Sequence, residues 1–368
     1  MRTVLLQPGD PAPWFIARSR GNPRYRIDTA AGRWLVLCFF PSSRDERVAR
    51  RLAALLEDAG RFDDRNLAFF GMSLDPGDWD RLRDRIPGVR FLLDPDGAAS
   101  RLCGAVGETD DAGTTAAWPQ TLILDPSFRV FARVDFADPD HDDRVGALIR
   151  SLPRAEADDT GAFAPVLVLP RVFEPELCRR LIALYDRHGG EESGVMREVD
   201  GKTVGVHDHS YKRRDDHTIL DEEVRALACR RIERRVVPEI HKAFNFAVTR
   251  MERYIVACYD AASGGHFRAH RDNTTRGTAH RRFAVSINLN AEDYEGGELR
   301  FPEHGPRTYR APTGGAVVFS GTLLHEVTPV TSGRRYAFLP FLYDEAAARL
   351  RERNNGFLGD AVGQYQAE

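Results

Sequence analysis

Lysine is almost missing from this chain of 368 residues: only Lys202, Lys212 and Lys242 occur among 52 basic residues. The other cations are arginines, and 55 acidic residues offset them to a net charge of −3 without leaving a continuous basic stripe. Phosphate-backbone binding depends on such a stripe, so nucleic acid is not an expected partner. Cysteine is also scarce. Cys38, Cys103, Cys178, Cys229 and Cys258 are scattered, odd in number and free of any C-x-x-C pair, which speaks against a disulfide framework or a cysteine-rich zinc site. No apolar run approaches a membrane span. The opening MRTVLLQPGDPAPWF has only three consecutive apolar residues, too few for a signal-peptide core. A cytoplasmic protein with no membrane partner is the expectation.

What is present is enough for two cores. The length suggests two domains of about 150 to 200 residues each, and the hydrophobic (42%) and charged (29%) fractions are those of an ordinary globular protein. Residues 1–152 alternate apolar runs with helical periodicity, as α/β layers do. The runs are RWLVLCFF (33–40), LAFFGMSL (67–74), VRFLLDP (89–95), QTLILDP (120–126) and RVFARVDF (129–136). Between the first two lies DERVARRLAALLEDAG (45–60), with Asp45 placed to cap a helix that Gly60 ends. A helix on DDRVGALIRSL closes this part, and the pattern-free PRAEADDTGAFAP (153–165) marks a boundary. Beyond it, 174–190 and 220–244 read as amphipathic helices, and short strands broken by glycine turns run to about 343, a sandwich or jelly-roll pattern. The expected division is therefore 1–155, 165–345 and a tail 346–368 that starts helical and loses its pattern after Asn355.

PGDPAPWF near the start and FFPSSRDERVARR after the first long strand resemble the thioredoxin-like fold of peroxiredoxins. The nucleophilic cysteine of that family sits at a helix start, in a pattern of proline, three residues, threonine or serine, two residues, cysteine. Counted from Pro41 those places hold Asp45 and Val48, so a domain without the peroxidatic cysteine is expected. Cys38 and Cys103 read as buried small hydrophobes. Pro119, in AWPQT, stands where such folds often place a cis-proline.

The second half contains HFRAHRDN (266–273), whose His270-Arg271-Asp272 serves two chemistries. A kinase catalytic loop needs an asparagine five residues after the aspartate, and that place is Gly277; no Asp-Phe-Gly and no glycine-rich phosphate loop follow or precede it. That reading fails. The other is a His-x-Asp pair on a strand, with both side chains on one face and able to share a metal ion. Composition alone yields roughly one His-x-Asp by chance, and two occur, at His141 and His270. His141 lies in the acidic stretch DPDHDDR, read as a solvated helix start. His270 is followed by glycine-punctuated strands, a distal His325 and, ten residues on, Arg335.

This order resembles the prolyl 4-hydroxylase-like group of 2-oxoglutarate- and iron(II)-dependent dioxygenases, over residues 165–345. The resemblance implies a double-stranded β-helix, or jelly roll, with supporting helices. It implies an iron(II) site on His270, Asp272 and His325, and 2-oxoglutarate as co-substrate with its far carboxylate on Arg335. Ascorbate is admitted as an auxiliary reductant. Arg334 faces the other way on a strand. Tyr259 is a candidate second donor to the same carboxylate, with a core tyrosine as the alternative. His266, His280 and His304 read as surface histidines, and VHDHSYKRRDDH (206–217) as a solvated loop, with a lid or substrate contact as its alternative. The implied reaction hydroxylates a C–H bond of a protein, peptide (prolyl included) or small molecule while 2-oxoglutarate becomes succinate and CO₂. A thiol redox protein and a non-catalytic binding module are the competing classes.

Overall fold

The computed structural model describes residues 5–109, 115–153, 163–359 and 365. It divides into two compact units, Met1–Ala162 with Pro302–Pro306, and Phe163–Phe301 with Arg307–Glu368. The expected boundary at 153–165 falls mostly on residues 154–162, outside the described set. No helix among the described residues is long and apolar enough to cross a membrane.

The first unit is built on a five-stranded sheet in the order Val89–Leu93, Leu67–Ser73, Trp34–Phe40, Gln120–Leu124, Val130–Asp135. The first three strands are parallel and the last two antiparallel. Every residue of Trp34–Phe40 is buried, as a central strand covered on both faces requires. Helices Glu46–Leu55 and His141–Ser151 supply Val48, Leu52, Leu55 and Val145 to the core against Val36, Cys38 and Phe40. Asp45 caps the first helix by accepting from the backbone N–H groups of Arg47 and Val48. The preceding loop is pinned by the carboxylate of buried Asp78, which accepts from the Ser43 backbone N–H, the Ser43 and Ser73 hydroxyls and Arg81. Val48, where a peroxiredoxin would hold its thiolate, is core, 2% exposed.

Two expectations in this unit are corrected. The described residues contain one cis peptide bond, Ile86–Pro87, so Pro119 is trans. The residues flanking Pro119 are engaged in backbone pairing, with Trp118 N–H donating to Ala105 O and Phe136 N–H to Pro119 O, and the trans form is the intrinsically favoured one. His141 is not solvated. Its side chain is fully buried, edge-on to Phe136 and hydrogen-bonded to Thr121 Oγ1 at 3.0 Å and Asp142 at 2.8 Å.

The second unit is an antiparallel two-sheet barrel. The larger sheet runs Leu167–Leu169, Ala316–Ser320, Phe283–Asn288, Val330–Phe338, Ile255–Asp260, Asp215–Thr218, Glu191–Glu192; the smaller runs Lys212–Arg213, His266–His270, His325–Val327, Leu299–Arg300, Thr308–Tyr309. Strand alternation divides the larger sheet's side chains cleanly. Val256, Cys258, Val285, Ile287, Tyr336 and Phe338 pack against helices Pro175–His188 and Glu222–Arg235 through Leu177, Leu181 and Ile232. Ile255, Ala257, Tyr259, Ala284, Val317 and Phe319 face inward to meet Phe267, Leu299 and Val327 of the smaller sheet. The period-2 rule therefore also sends Ser286 and Arg335 inward and Arg334 outward.

In the stretch 206–217, residues 207–211 form the expected solvated turn, with His207 and His209 exposed, but from Lys212 onward the chain is a structural seam rather than loop. Lys212 pairs with Phe267 in the smaller sheet and Asp215 with Cys258 in the larger, so the chain changes sheets at Arg214. Lys212 and Arg214 are consequently buried, 5% and 6% exposed. The segment 220–244 forms two helices, Glu222–Arg235 and Val237–Phe244; Pro238 starts the second because it can occupy a first helical turn but not a helix interior. The tail is ordered where it is described. Helix Glu345–Arg353 is capped by Asp344, and the following turn reaches the hairpin Val195–Val199/Lys202–Val206, with Gly359 N–H donating to Thr203 O at 2.9 Å and Lys202 Nζ to Gly356 O at 2.7 Å.

All five cysteines are unpaired, and only Cys229 is not fully buried. Burial pushes the Cys38 thiol up to about 12. Ellman's reagent should therefore titrate about one thiol slowly in the folded protein and all five in guanidinium. Fast reaction of two or more thiols without denaturant would show that Cys38 or Cys103 is accessible.

Candidate metal centre

Antiparallel pairing sets the core of the site. His270, the last residue of its strand, stands directly opposite His325, the first residue of the next, and a register irregularity separates this pair from Phe267 opposite Val327. The chain then turns, and Asp272 is fixed by its N–H donating to Gly321 O at 2.8 Å. Each histidine ring is tied by Nδ1 to the carbonyl two residues before it: His270 to Arg268 O at 2.8 Å and His325 to Leu323 O at 2.9 Å. A carbonyl only accepts, so both Nδ1 atoms carry the proton and both Nε2 atoms present lone pairs. Those Nε2 atoms face one carboxylate, His270 at 3.6 Å from Oδ1 and His325 at 3.4 Å from Oδ2 of Asp272. The three candidate ligand atoms lie within 4.8 Å of one another.

The donor set fits a divalent metal on this geometry. Asp272 Oδ2 is buried without a hydrogen-bond donor, and burying a carboxylate oxygen bare is costly. Burial raises the Asp272 carboxyl, but the polar and cationic surroundings, the two histidines and Arg281, outweigh it and hold the group well below the carboxylate range. Burial, and then His270, lower His325 to about 4, so its imidazole is neutral at physiological pH. Phe267 stacks on His270 and Phe319 meets His325 edge-on, which holds the rings and keeps water from one side. Two imidazoles and one carboxylate on one face leave the opposite positions of an octahedron open, the pattern of redox-active first-row ions rather than closed tetrahedral zinc.

Across the barrel stands Arg335, 2% exposed and paired in register with Tyr259. Its Nη2 donates to Ser286 Oγ at 2.8 Å, whereas Nε and Nη1 have no partner. The guanidinium lies 5.1 Å from the Tyr259 ring centroid. Gly297, at φ +67°, makes room: a Cβ there would come within 3.1 Å of Arg335 Cδ. Arg334 is half-exposed and ion-paired with Asp260 at 3.1 Å. Tyr259 is buried, and its hydroxyl receives a long hydrogen bond, 3.4 Å, from Arg214. The Arg335 guanidinium faces its ring, and because the hydroxyl accepts the Arg214 bond it keeps its own proton to donate.

The arrangement brings together His270, Asp272 and His325, and separately Arg335 with Tyr259. Ser286 and the Lys212–Arg214–Asp216 seam were not anticipated. A serine amid the apolar run FAVSINL was the available signal for the first. His280 is corrected: it is 1% exposed and bonded to Glu252 at 2.9 Å, not a surface histidine, while His266 and His304 are half-buried.

An antiparallel jelly-roll barrel with a His-x-Asp pair and a distal histidine at one sheet and a buried arginine on the other offers the donor set of one class, the facial-triad non-haem metal sites. Within that class, residues 254–343 match the family model described as the 2OG-Fe(II) oxygenase superfamily, and residues 8–132 match that of the AhpC/TSA family. A PKHD-type hydroxylase of Pseudomonas fluorescens is 43% identical over 91 residues, 23% of this chain and 39% of that protein. The chain thus spans well under half the length of that relative. Among solved structures, a prolyl hydroxylase from Trichoplax adhaerens in complex with a hypoxia inducible factor peptide fragment is 20% identical, with a TM-score of 0.40, covering 50% of this chain and 86% of that one. The peroxidoxin BcpB from Mycobacterium tuberculosis is 17% identical, with a TM-score of 0.34, covering 40% of this chain and 99% of that one.

Anaerobic calorimetry with iron(II) should give about one equivalent bound, with affinity falling on the order of a hundredfold or more in His325→Ala and unchanged in exposed His241→Ala. Equal binding by His325→Ala would remove it from the ligand set.

Proposed function

We propose that the second unit is an iron(II)- and 2-oxoglutarate-dependent dioxygenase that hydroxylates a C–H bond of a peptidyl or small-molecule substrate, releasing succinate and CO₂. The observation that carries this reading is the buried Arg335 guanidinium with two unpartnered N–H groups, facing into the same barrel as the three candidate metal ligands. A buried cation left short of acceptors is expensive, and a carboxylate bound bidentately resolves it. The match to the oxygenase superfamily and the naming of the Pseudomonas fluorescens relative as a hydroxylase support the same assignment.

In this reading His270, Asp272 and His325 hold iron(II), and Arg335 takes the far carboxylate of 2-oxoglutarate, with Ser286 orienting the guanidinium and Tyr259 forming one wall. Bound iron(II) would let dioxygen act as the oxidant, with 2-oxoglutarate giving up one electron pair as it becomes succinate and CO₂ and the substrate C–H bond giving up the other. The protein's part is placement: the Nδ1 tethers fix both imidazoles, and Phe267, Phe319 and Phe301 exclude water beside them. Ascorbate belongs to the proposal as a reductant that sustains turnover, and the five unpaired cysteines accord with a reducing compartment such as the cytoplasm. The thiol-redox alternative lacks a nucleophile at position 48 and has its cysteines buried with raised pKa values.

The test is an anaerobic titration of 2-oxoglutarate into the iron-loaded protein, followed by air and quantitation of succinate. Wild type should form succinate slowly even without substrate. Arg335→Ala should weaken 2-oxoglutarate by on the order of 3 kcal/mol, roughly a hundredfold, with iron affinity nearly intact. Arg335→Lys should recover part of the loss, because a point charge keeps attraction but not the fork. Arg334→Ala should do little. The reverse ranking of the two arginines, or no succinate from wild type, overturns the assignment.

A further inference from the structure

The barrel interior holds more positive charge than its own carboxylates and the proposed co-substrate account for. Apart from Arg335, Arg253 and Arg281 lie close enough for their charges to act on Asp272, Lys212 lies over the Phe267 ring and Arg214 over that of Tyr259. Asp216 Oδ2 accepts from Arg214 at 2.7 Å and Arg253 at 3.0 Å, while the Lys212 ammonium rests on neutral partners, donating to Ser193 Oγ at 2.7 Å and Gly194 O at 2.8 Å. Glu252 serves Arg281 at 2.9 Å but is shared with Arg351 at 2.7 Å. Among the described residues, Asp216 and Glu252 thus bond four guanidiniums, with Asp272 near Arg253 and Arg281 but turned to the two histidines, and Arg214 Nε is left buried without a partner. Burial and then Arg214 depress Lys212 well below the ordinary lysine range, yet a neutral Lys212 still leaves four guanidiniums on two carboxylates. Uncompensated buried charge is among the most costly arrangements a fold can keep.

The backbone shows that this surplus is built in. Between Arg250–Glu252 and Ile255–Asp260, Arg253 adopts φ +73°, a left-handed conformation that a residue with a side chain adopts only under strain. In a regular strand Glu252 and Arg253 would point to opposite faces. Instead both reach the surroundings of Arg281: Glu252 bonds its Nε, and the Arg253 and Arg281 guanidiniums lie 5.5 and 4.1 Å from the centroid of one ring, Phe341. Phe341 belongs to the inward cluster that includes Phe267 and Phe319, the residues packed on His270 and His325. Strain is spent here to bring a second guanidinium towards a first.

We propose that Arg253 and Arg281, over the Phe341 ring, form a second oxyanion subsite that holds an anionic group of the substrate beside the metal centre. The Arg253 side chain is 26% exposed and that of Arg281 14%, so the pair is reachable where Arg335 is sealed. Phe341 gives both planar cations a face to lie on, and Arg214 with Asp216 supports Arg253 from behind. The substrate class is accordingly one with a carboxylate or phosphoryl group near the C–H bond that reacts. This deepens, and rests on, the dioxygenase reading, but the subsite is measurable without metal, co-substrate or turnover.

The measurement uses the full-length, metal-free protein at low ionic strength, with Arg335→Gln as background so that the co-substrate pocket contributes nothing. Inorganic phosphate and acetate are titrated calorimetrically as probes of the two anion sources. Binding of either probe that falls at least tenfold on adding Arg253→Gln, and stays within threefold on adding Arg253→Lys, supports the subsite; the tighter probe names the source. Arg281→Gln should behave as Arg253→Gln and serves in its place if that variant does not fold. Loss of all oxyanion binding in Arg335→Gln alone, or binding unaffected by both Arg253→Gln and Arg281→Gln, overturns it. A parallel titration of 2-oxoglutarate separates the two ideas: affinity unchanged by Arg335→Gln would sink the co-substrate assignment while leaving the Arg253 result to be read on its own.

Discussion

The second unit depends on one antiparallel contact, the pairing that sets His270 against His325 across the smaller sheet. Because their Cα atoms are register partners, the two imidazoles reach the same volume without any long-range adjustment. The carbonyl tethers from Arg268 and Leu323 then select the tautomer, so the lone pairs converge on Asp272. A shift of that pairing by one residue would turn both rings to the opposite face. The aromatic packing, the Gly321 contact and the buried carboxylate all presuppose this register.

The larger sheet contributes through the same alternation, now used for charge. Its inward positions carry Tyr259, Ser286 and Arg335 among small or apolar residues, while the outward set is the apolar face that two helices cover. Placing an arginine inward leaves it under-satisfied by design of the pattern, since Ser286 answers only one of its N–H groups. The seam at Arg214 extends the theme: the strand that crosses between sheets closes the barrel with cations rather than with leucine or valine. Polar groups inside a barrel are tolerated where a ligand or a partner meets them, and here the partners within the chain are too few.

How much of this was readable in advance follows from distance along the chain. The order of strands and helices in the first unit was legible because each element carries its own periodicity and stop signals, as in the Asp45-capped helix. The His-x-Asp pair was legible because two ligands on one strand end are adjacent in sequence, and Arg335 because its faces alternate against Arg334. His141 and His280 were misjudged because their burial is decided by Thr121 and Glu252, 20 and 28 residues away. Lys212 and Arg214 lie in a stretch as polar as any loop, and only the change of sheets at that point buries them. Arg253 is illegible for another reason: nothing in ERYIV announces a left-handed residue, and a regular strand would have sent it outward.

The packing of Val48 decides what chemistry that position could carry. That position is sealed into the core behind a helix cap and a loop held by Asp78, and the nearest thiol environment on the same sheet, that of Cys38, shows what such burial does to a sulfhydryl. A cysteine placed at 48 would meet a low-dielectric surrounding and remain protonated and inert. Thiolate chemistry at that position would therefore require a looser helix start and an opened loop as well as a sulfur.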